Sequence, residues 1–151
     1  MPRDAAKTRQ MNLAVADTSV LVAFSAIHLL DALRAIFAKV LIPEAVCREL
    51  IDQGSGWIEA SDVQAAIRAG EWIAIEAVTA MQELSKTRWD LFSGEAEAIP
   101  LAERHQCPIL LDDPEARKVA SHRGLLVIGT LGLLILGKRR GIIPGYQSFD
   151  S

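Results

Sequence analysis

Pro108-Ile109-Leu110-Leu111-Asp112-Asp113-Pro114 holds a short, wholly apolar run that stops at two acids, then a proline suited to the first position of a helix. Such a run reads as a strand buried on both faces, the kind that parallel sheets contain. Working outward toward the C-terminus, Pro114 opens a helix to His122, which Gly124 ends. Leu125-Leu126-Val127-Ile128 follows as a last strand, and Gly129-Thr130 leads into a helix to Arg140 with Gly141 just beyond it. Toward the N-terminus, Ser93-Gly94 opens a helix to His105, preceded by a helical stretch over 79–86 and a weakly alternating edge strand over 71–75. Ser61 can cap a helix over 62–69, Gln53-Gly54-Ser55-Gly56 is a loop, and Pro43 begins a helix over 44–51 after a strand over 39–42. Before these lie a helix around 29–37, a helix over 20–26 capped by Thr18 or Ser19, and a first strand over 12–16 ending at Asp17. Strands alternating with helices predict an α/β fold, with a central, mostly parallel sheet of four to five strands covered on both faces.

The chain has 151 residues, half of them hydrophobic, which suits one domain with a real core and excludes disorder. We read residues 1–11 as a flexible leader, 12–141 as the domain and 142–151 as a tail. The formal charge of −3 hides an asymmetry. Residues 1–115 carry 10 basic and 18 acidic side chains, whereas residues 116–151 carry 6 basic and 1 acidic. That polarity suits carboxylates gathered in one place and cations offered to an anionic partner in another. Cys47 and Cys107 form no CxxC pair and no zinc pattern, and both read as buried apolar residues. No signal-like h-region opens the chain, and the longest uncharged run, 124–137, is too short to span a bilayer. The expectation is a cytoplasmic protein without a membrane segment.

In open α/β sheets, ligands bind outside the carboxyl ends of the strands. Asp17 and the Asp112-Asp113 pair stand there, and Thr130 follows the last strand. Glu49 lies about two turns into its helix. Glu95 heads a stripe of Ala98, Ile99 and Ala102 at helical spacing, so it faces the core. Each acid also has a plain structural use: Asp17 and Asp113 as helix caps, Glu49 as a surface charge, Glu95 as a complement to the helix dipole. Glu97 is assigned to the helix surface or a secondary role. His28, His105 and His122 read as surface or structural residues, and Trp57, Trp72 and Trp89 as packing or an interface. Leu29-Leu30, Leu33 and Phe37 form either ordinary core or an apolar face for a partner.

Five segments in this order resemble the PIN-domain nuclease superfamily, in particular VapC-like toxins and a branch carrying Gly-Glu-x-Glu-Ala. They are Val15-Ala16-Asp17-Thr18-Ser19-Val20-Leu21, Ile42-Pro43-Glu44-Ala45-Val46-Cys47-Arg48-Glu49-Leu50, Gly94-Glu95-Ala96-Glu97-Ala98-Ile99, Leu110-Leu111-Asp112-Asp113-Pro114-Glu115-Ala116-Arg117 and Ile128-Gly129-Thr130-Leu131-Gly132. The resemblance implies a PIN-like three-layer α/β/α fold. By position it implies an acidic metal site of Asp17, Glu49, Glu95 and Asp113, with either Asp112 or Asp113 as the fourth ligand. Where this chain has Glu95, many family members have Asp. Thr18, Ser19 and Thr130 would be neighbours that orient the carboxylates or a bound water.

Hard carboxylate oxygens select Mg²⁺ or Mn²⁺ over zinc. The implied chemistry is metal-dependent endonucleolytic hydrolysis of RNA, with no covalent protein intermediate. Arg117, Lys118 and Arg139, from the acid-free stretch, are the candidates for holding substrate phosphates. The implied partners are RNA, a cognate antitoxin and a second copy of the chain in a homodimer. The rival reading is a catalytically inactive PIN-like module that binds RNA or acts as a scaffold. Other classes fail on residues. An aspartyl-phosphate phosphatase needs an Asp where Ser19 stands, a receiver domain needs its paired acids after the first strand, and no Gly-Lys-Ser/Thr follows Gly129 as a P-loop would require.

Overall fold

The computed structural model describes residues 11–53, 61–78 and 93–144. Of the leader over 1–11 only Met11 lies within them, as the start of a strand, and of the loop over 53–56 only Gln53, as the end of a helical turn; the helix over 79–86, Trp57, Trp89 and the tail beyond 144 lie outside. Strand β1 (Met11–Ala16) leads into helix α1 (Thr18–Ala26), then α2 (Leu30–Ile36) and β2 (Phe37–Pro43). Helix α3 (Glu44–Arg48) runs into a wider π-helical turn, Glu49–Gln53. Helix α4 (Ser61–Ala69), strand β3 (Ile73–Glu76) and helix α5 (Ser93–His105) follow. The last elements are β4 (Ile109–Leu110), α6 (Pro114–His122), β5 (Val127–Ile128) and α7 (Thr130–Arg139).

The five strands form one sheet of order β3-β2-β1-β4-β5, and every pairing is parallel. Because successive strand residues face opposite ways, the sheet feeds two cores. On one face Ala14, Ala16, Val40, Ile42 and Leu110 pack with Val20, Leu21 and Phe24 of α1, Leu33 and Ile36 of α2, and Leu133 of α7. On the other, Val15, Leu41, Ile109 and Leu111 pack with Ala98, Ile99 and Ala102 of α5 and Val119 and Ala120 of α6. This is the three-layer α/β/α arrangement with the central sheet expected from the alternating pattern.

Glycine follows three of the helices: Gly70, Gly124 and Gly141 have φ of +65°, +82° and +73°, a region that costs other residues energy. Burial decides between the two uses open to the stretch around Leu30. Leu30, Leu33 and Phe37 are buried in the first core and Leu29 packs against it, so this stretch is not a partner face. Among the described residues the exposed large apolar side chains include Leu126, beside β5, and Leu131 and Ile135, one turn apart on α7. Beyond α7, Ile142 and Ile143 pack onto the first core and Ile143 fills the space above Gly137. No helix among the described residues is long and apolar enough to cross a membrane.

Candidate active site

The chain moves outward from β1 to β2 and β3, then returns to place β4 on the other side of β1. The reversal leaves a crevice at the carboxyl ends of β1 and β4, the position where α/β sheets hold ligands. Asp17 stands on one side, its amide bonded to the Leu110 carbonyl at 2.9 Å, and Asp112 and Asp113 follow β4 on the other. Glu49 arrives from the turn after α3 and Glu95 from the first turn of α5. Asp17, Glu49, Glu95, Asp112 and Asp113, with Thr18 and Ser19, line one cavity of about 440 Å³. Distant segments of chain thus bring the predicted acids together.

Each acid is held differently. Asp17 occupies the N-cap position of α1 in extended backbone but makes no capping bond into the helix. It is 7% exposed, and Ser19 Oγ donates to its Oδ2 at 3.3 Å. Its pKa is pushed up to about 6. Burial is the main cause, opposed by the Thr18 amide; the negative charge of Glu49 raises it further, the Ser19 hydroxyl lowers it, and the Asp113 charge adds a smaller rise. Glu49 is half-buried, and its Oε2 accepts from Thr18 Oγ1 at 2.9 Å. The helix register widens to π at Glu49 itself, a distortion common at functional sites and invisible to periodicity. Glu95 is 5% exposed.

The two acids after β4 divide their work. Asp112 accepts from the Thr130 amide on Oδ1 at 2.7 Å and from Thr130 Oγ1 on Oδ2 at 2.6 Å, so it fastens the start of α7. Asp113 caps α6 through Oδ2, which accepts from the Ala116 amide at 2.9 Å, while Oδ1 takes no part in the cap. Gly129 lies between these elements. A Cβ there would stand 2.7 Å from Arg117 Nη1 and 2.8 Å from Asp112 Oδ1, so only glycine leaves both side chains their places.

The cations are split. Arg117 and Lys118 line a second cavity of about 510 Å³, and Asp112 belongs to the walls of both. Arg139 lies elsewhere: α7 begins at Thr130 beside the site and carries Arg139 about 14 Å along its axis. Arg123 is committed to Glu103 at 2.8 Å. His105 contacts Glu76 at 2.8 Å, in the structural role expected of it, and Trp72 is buried.

Sequence reading missed Glu97. It is not on the helix surface but 7% exposed, and its Oε1 accepts from the Ala45 amide at 3.1 Å. One signal was available: Leu101, one turn beyond it on α5, is apolar, so this face of the helix is buried as well as the one carrying Glu95.

The sequence profile of the PIN-domain family matches residues 13–149. The chain belongs to the PIN-domain family. Its solved neighbours include a PilT N-terminus domain protein from the hyperthermophilic archaeon Sulfolobus solfataricus, 18% identical, with a TM-score of 0.59 over 83% of this chain and 92% of that one. That likeness concerns the fold. No curated protein matches the chain. PIN domains are in general nucleases, typically dependent on divalent metal ions, and they often pair with antitoxins.

The donor set can be tested against a divalent ion. Every charged group lining the cavity is a carboxylate, the hard oxygen chemistry that Mg²⁺ and Mn²⁺ prefer. Among the described residues no three His, Cys, Asp or Glu side chains are gathered closely enough to hold an ion by themselves. Mg²⁺ keeps several waters and commonly takes only one or two carboxylates directly, so a wider ring acting partly through water suits it. The residues fit the group.

Proposed function

We propose that this PIN-domain protein is a metal-dependent endoribonuclease, and that it serves as the toxin of a toxin–antitoxin pair in the cytoplasm. The observation that carries the reading is the convergence of Asp17, Glu49, Glu95 and Asp113 on one cavity at the β1/β4 crevice. In this reading those four carboxylates hold Mg²⁺ or Mn²⁺ partly through its waters, and the ion when bound supplies an activated water and charge neutralisation at the phosphodiester. Asp113 is the fourth ligand rather than Asp112, because both Asp112 oxygens are engaged by Thr130 while Asp113 keeps Oδ1 outside its capping bond.

Thr18 and Ser19 orient Glu49 and Asp17, and Thr130 acts indirectly by holding Asp112. Arg117 and Lys118 hold a neighbouring phosphate of the RNA, since the acids repel the chain they cut. The antitoxin and homodimer assignments rest on the VapC-like resemblance, and Leu131 and Ile135 offer an apolar surface for either partner. The test is incubation of purified protein with structured RNAs and Mg²⁺ or Mn²⁺, beside Asp17→Asn. Cleavage by the wild type alone is expected. Equal cleavage by both proteins would trace the activity to a contaminant, and no cleavage with no metal effect on melting would leave the scaffold reading.

A further inference from the structure

Glu97 is a buried carboxylate that the proposed chemistry does not use, and its contacts run to α3, the helix that leads into Glu49. Residues two apart on an α-helix point about 200° away from each other. Glu95 therefore lines the acidic cavity while Glu97 turns toward α3. The N-cap of α3 is Pro43, which has no side chain able to cap. Glu97 Oε1, arriving from another helix, takes the Ala45 amide instead. Its second oxygen lies 3.8 Å from Arg48 Nη2, at the residue immediately before Glu49. One carboxylate thus spans α3 from its first turn to its last residue.

We propose that Glu97 is a positioning residue that locks α3 to α5, fixing Glu49 relative to Glu95 across the cavity. This gives the second glutamate of the Gly94-Glu95-Ala96-Glu97-Ala98 segment a role distinct from the first: Glu95 faces the site, and Glu97 sets the distance to the opposite wall. The claim rests on the site assignment above for its functional consequence, but not for its structural one. Orienting groups behind metal ligands typically change metal affinity by about 10–100-fold.

The experiment compares Glu97→Ala, Glu97→Gln and Glu97→Asp in the full chain. Two quantities are read: hydrogen exchange of the peptide covering 44–53, and Mn²⁺ affinity by calorimetry. Gln keeps an acceptor oxygen at the same reach, whereas Asp keeps the charge but withdraws it by one methylene. The expected result is faster exchange over 44–53 with exchange in β1 unchanged, together with about tenfold weaker Mn²⁺ binding, in the Ala and Asp variants. Gln, which keeps the acceptor for the Ala45 amide but not the charge facing Arg48, should retain most of both. Should Glu97→Ala not fold, the Gln and Asp variants decide by the same comparison.

Unchanged exchange over 44–53 in the Ala or Asp variants overturns the proposal, as does a Gln variant as impaired as Asp. Altered exchange with unaltered Mn²⁺ affinity also overturns it, since Glu97 would then only stabilise the fold. If the wild type binds no Mn²⁺, the nuclease assignment fails and the lock between α3 and α5 is judged on exchange alone.

Discussion

Asp17 stores a conflict. Its pKa of about 6, against 3.8 for the ordinary group, means that the folded protein retains a proton that the unfolded chain has already lost between those values. Stability therefore falls as pH rises from about 4 to 6 and stays reduced above, by about 3 kcal/mol. Asp17→Asn removes the charge and nearly preserves the shape. The variant should be more stable than wild type at pH 7.5 without added metal, by about 1–3 kcal/mol, and indistinguishable near pH 3. Urea melts at the two pH values check this. Cleavage should fall by more than about a hundredfold in the same variant, exceeding the loss typical of groups behind the ligands. At subsaturating metal, wild-type cleavage should rise about tenfold per pH unit below 6 and level off above it, as protons cease to compete for Asp17.

At the scale of elements, two helices beside the site begin at residues with no side chain able to cap. The N-cap of α3 is Pro43 and that of α7 is Gly129, and in each case a carboxylate from elsewhere completes the helix: Glu97 for α3 and Asp112 for α7. Helix α6 is the contrast, since Asp113 and Pro114 cap it locally and the sequence reading finds its start at once. Local cap signals reach three residues along the chain, whereas these tertiary caps bridge 52 and 18 residues. That is why the cap formed by Asp113 is legible in the sequence and the one formed by Glu97 is not, whereas Asp17, Glu49, Glu95 and Asp113 stand out together only through the family resemblance. The Asp112–Thr130 contact yields a further expectation. Gly129→Ala would drive a Cβ into Asp112 Oδ1 and Arg117 Nη1. Arg117 can swing away, but Asp112 is tied to Thr130, so a loss of about 1–3 kcal/mol in thermal unfolding is expected, with reduced cleavage.

Across the whole molecule, the order β3-β2-β1-β4-β5 creates the crevice, and the two cores on either side of the sheet hold its walls apart. The parallel architecture was legible because buried strands and helices alternate in composition; the strand order was not, because nothing in a single chain records which strands pair. The same limit left Leu30, Leu33 and Phe37 open to two uses, and burial decides for the core. Leu33→Ala should cost about 3–5 kcal/mol in denaturant unfolding, and cleavage by the remaining folded protein should be unchanged at low temperature. Arg139 sits at the far end of α7, so neutralising it should leave RNA affinity near wild type, while Arg117→Ala and Lys118→Ala each reduce the salt dependence of binding by about one unit.

The proposed nuclease requires these carboxylates to share one divalent ion site. Crystals soaked in Mn²⁺ and measured for anomalous scattering test it most directly. A peak is expected within the cavity lined by Asp17, Glu49, Glu95 and Asp113, absent from Asp17→Asn crystals treated alike. A cavity without a peak at millimolar Mn²⁺, or a peak that survives the substitution unchanged, would contradict it.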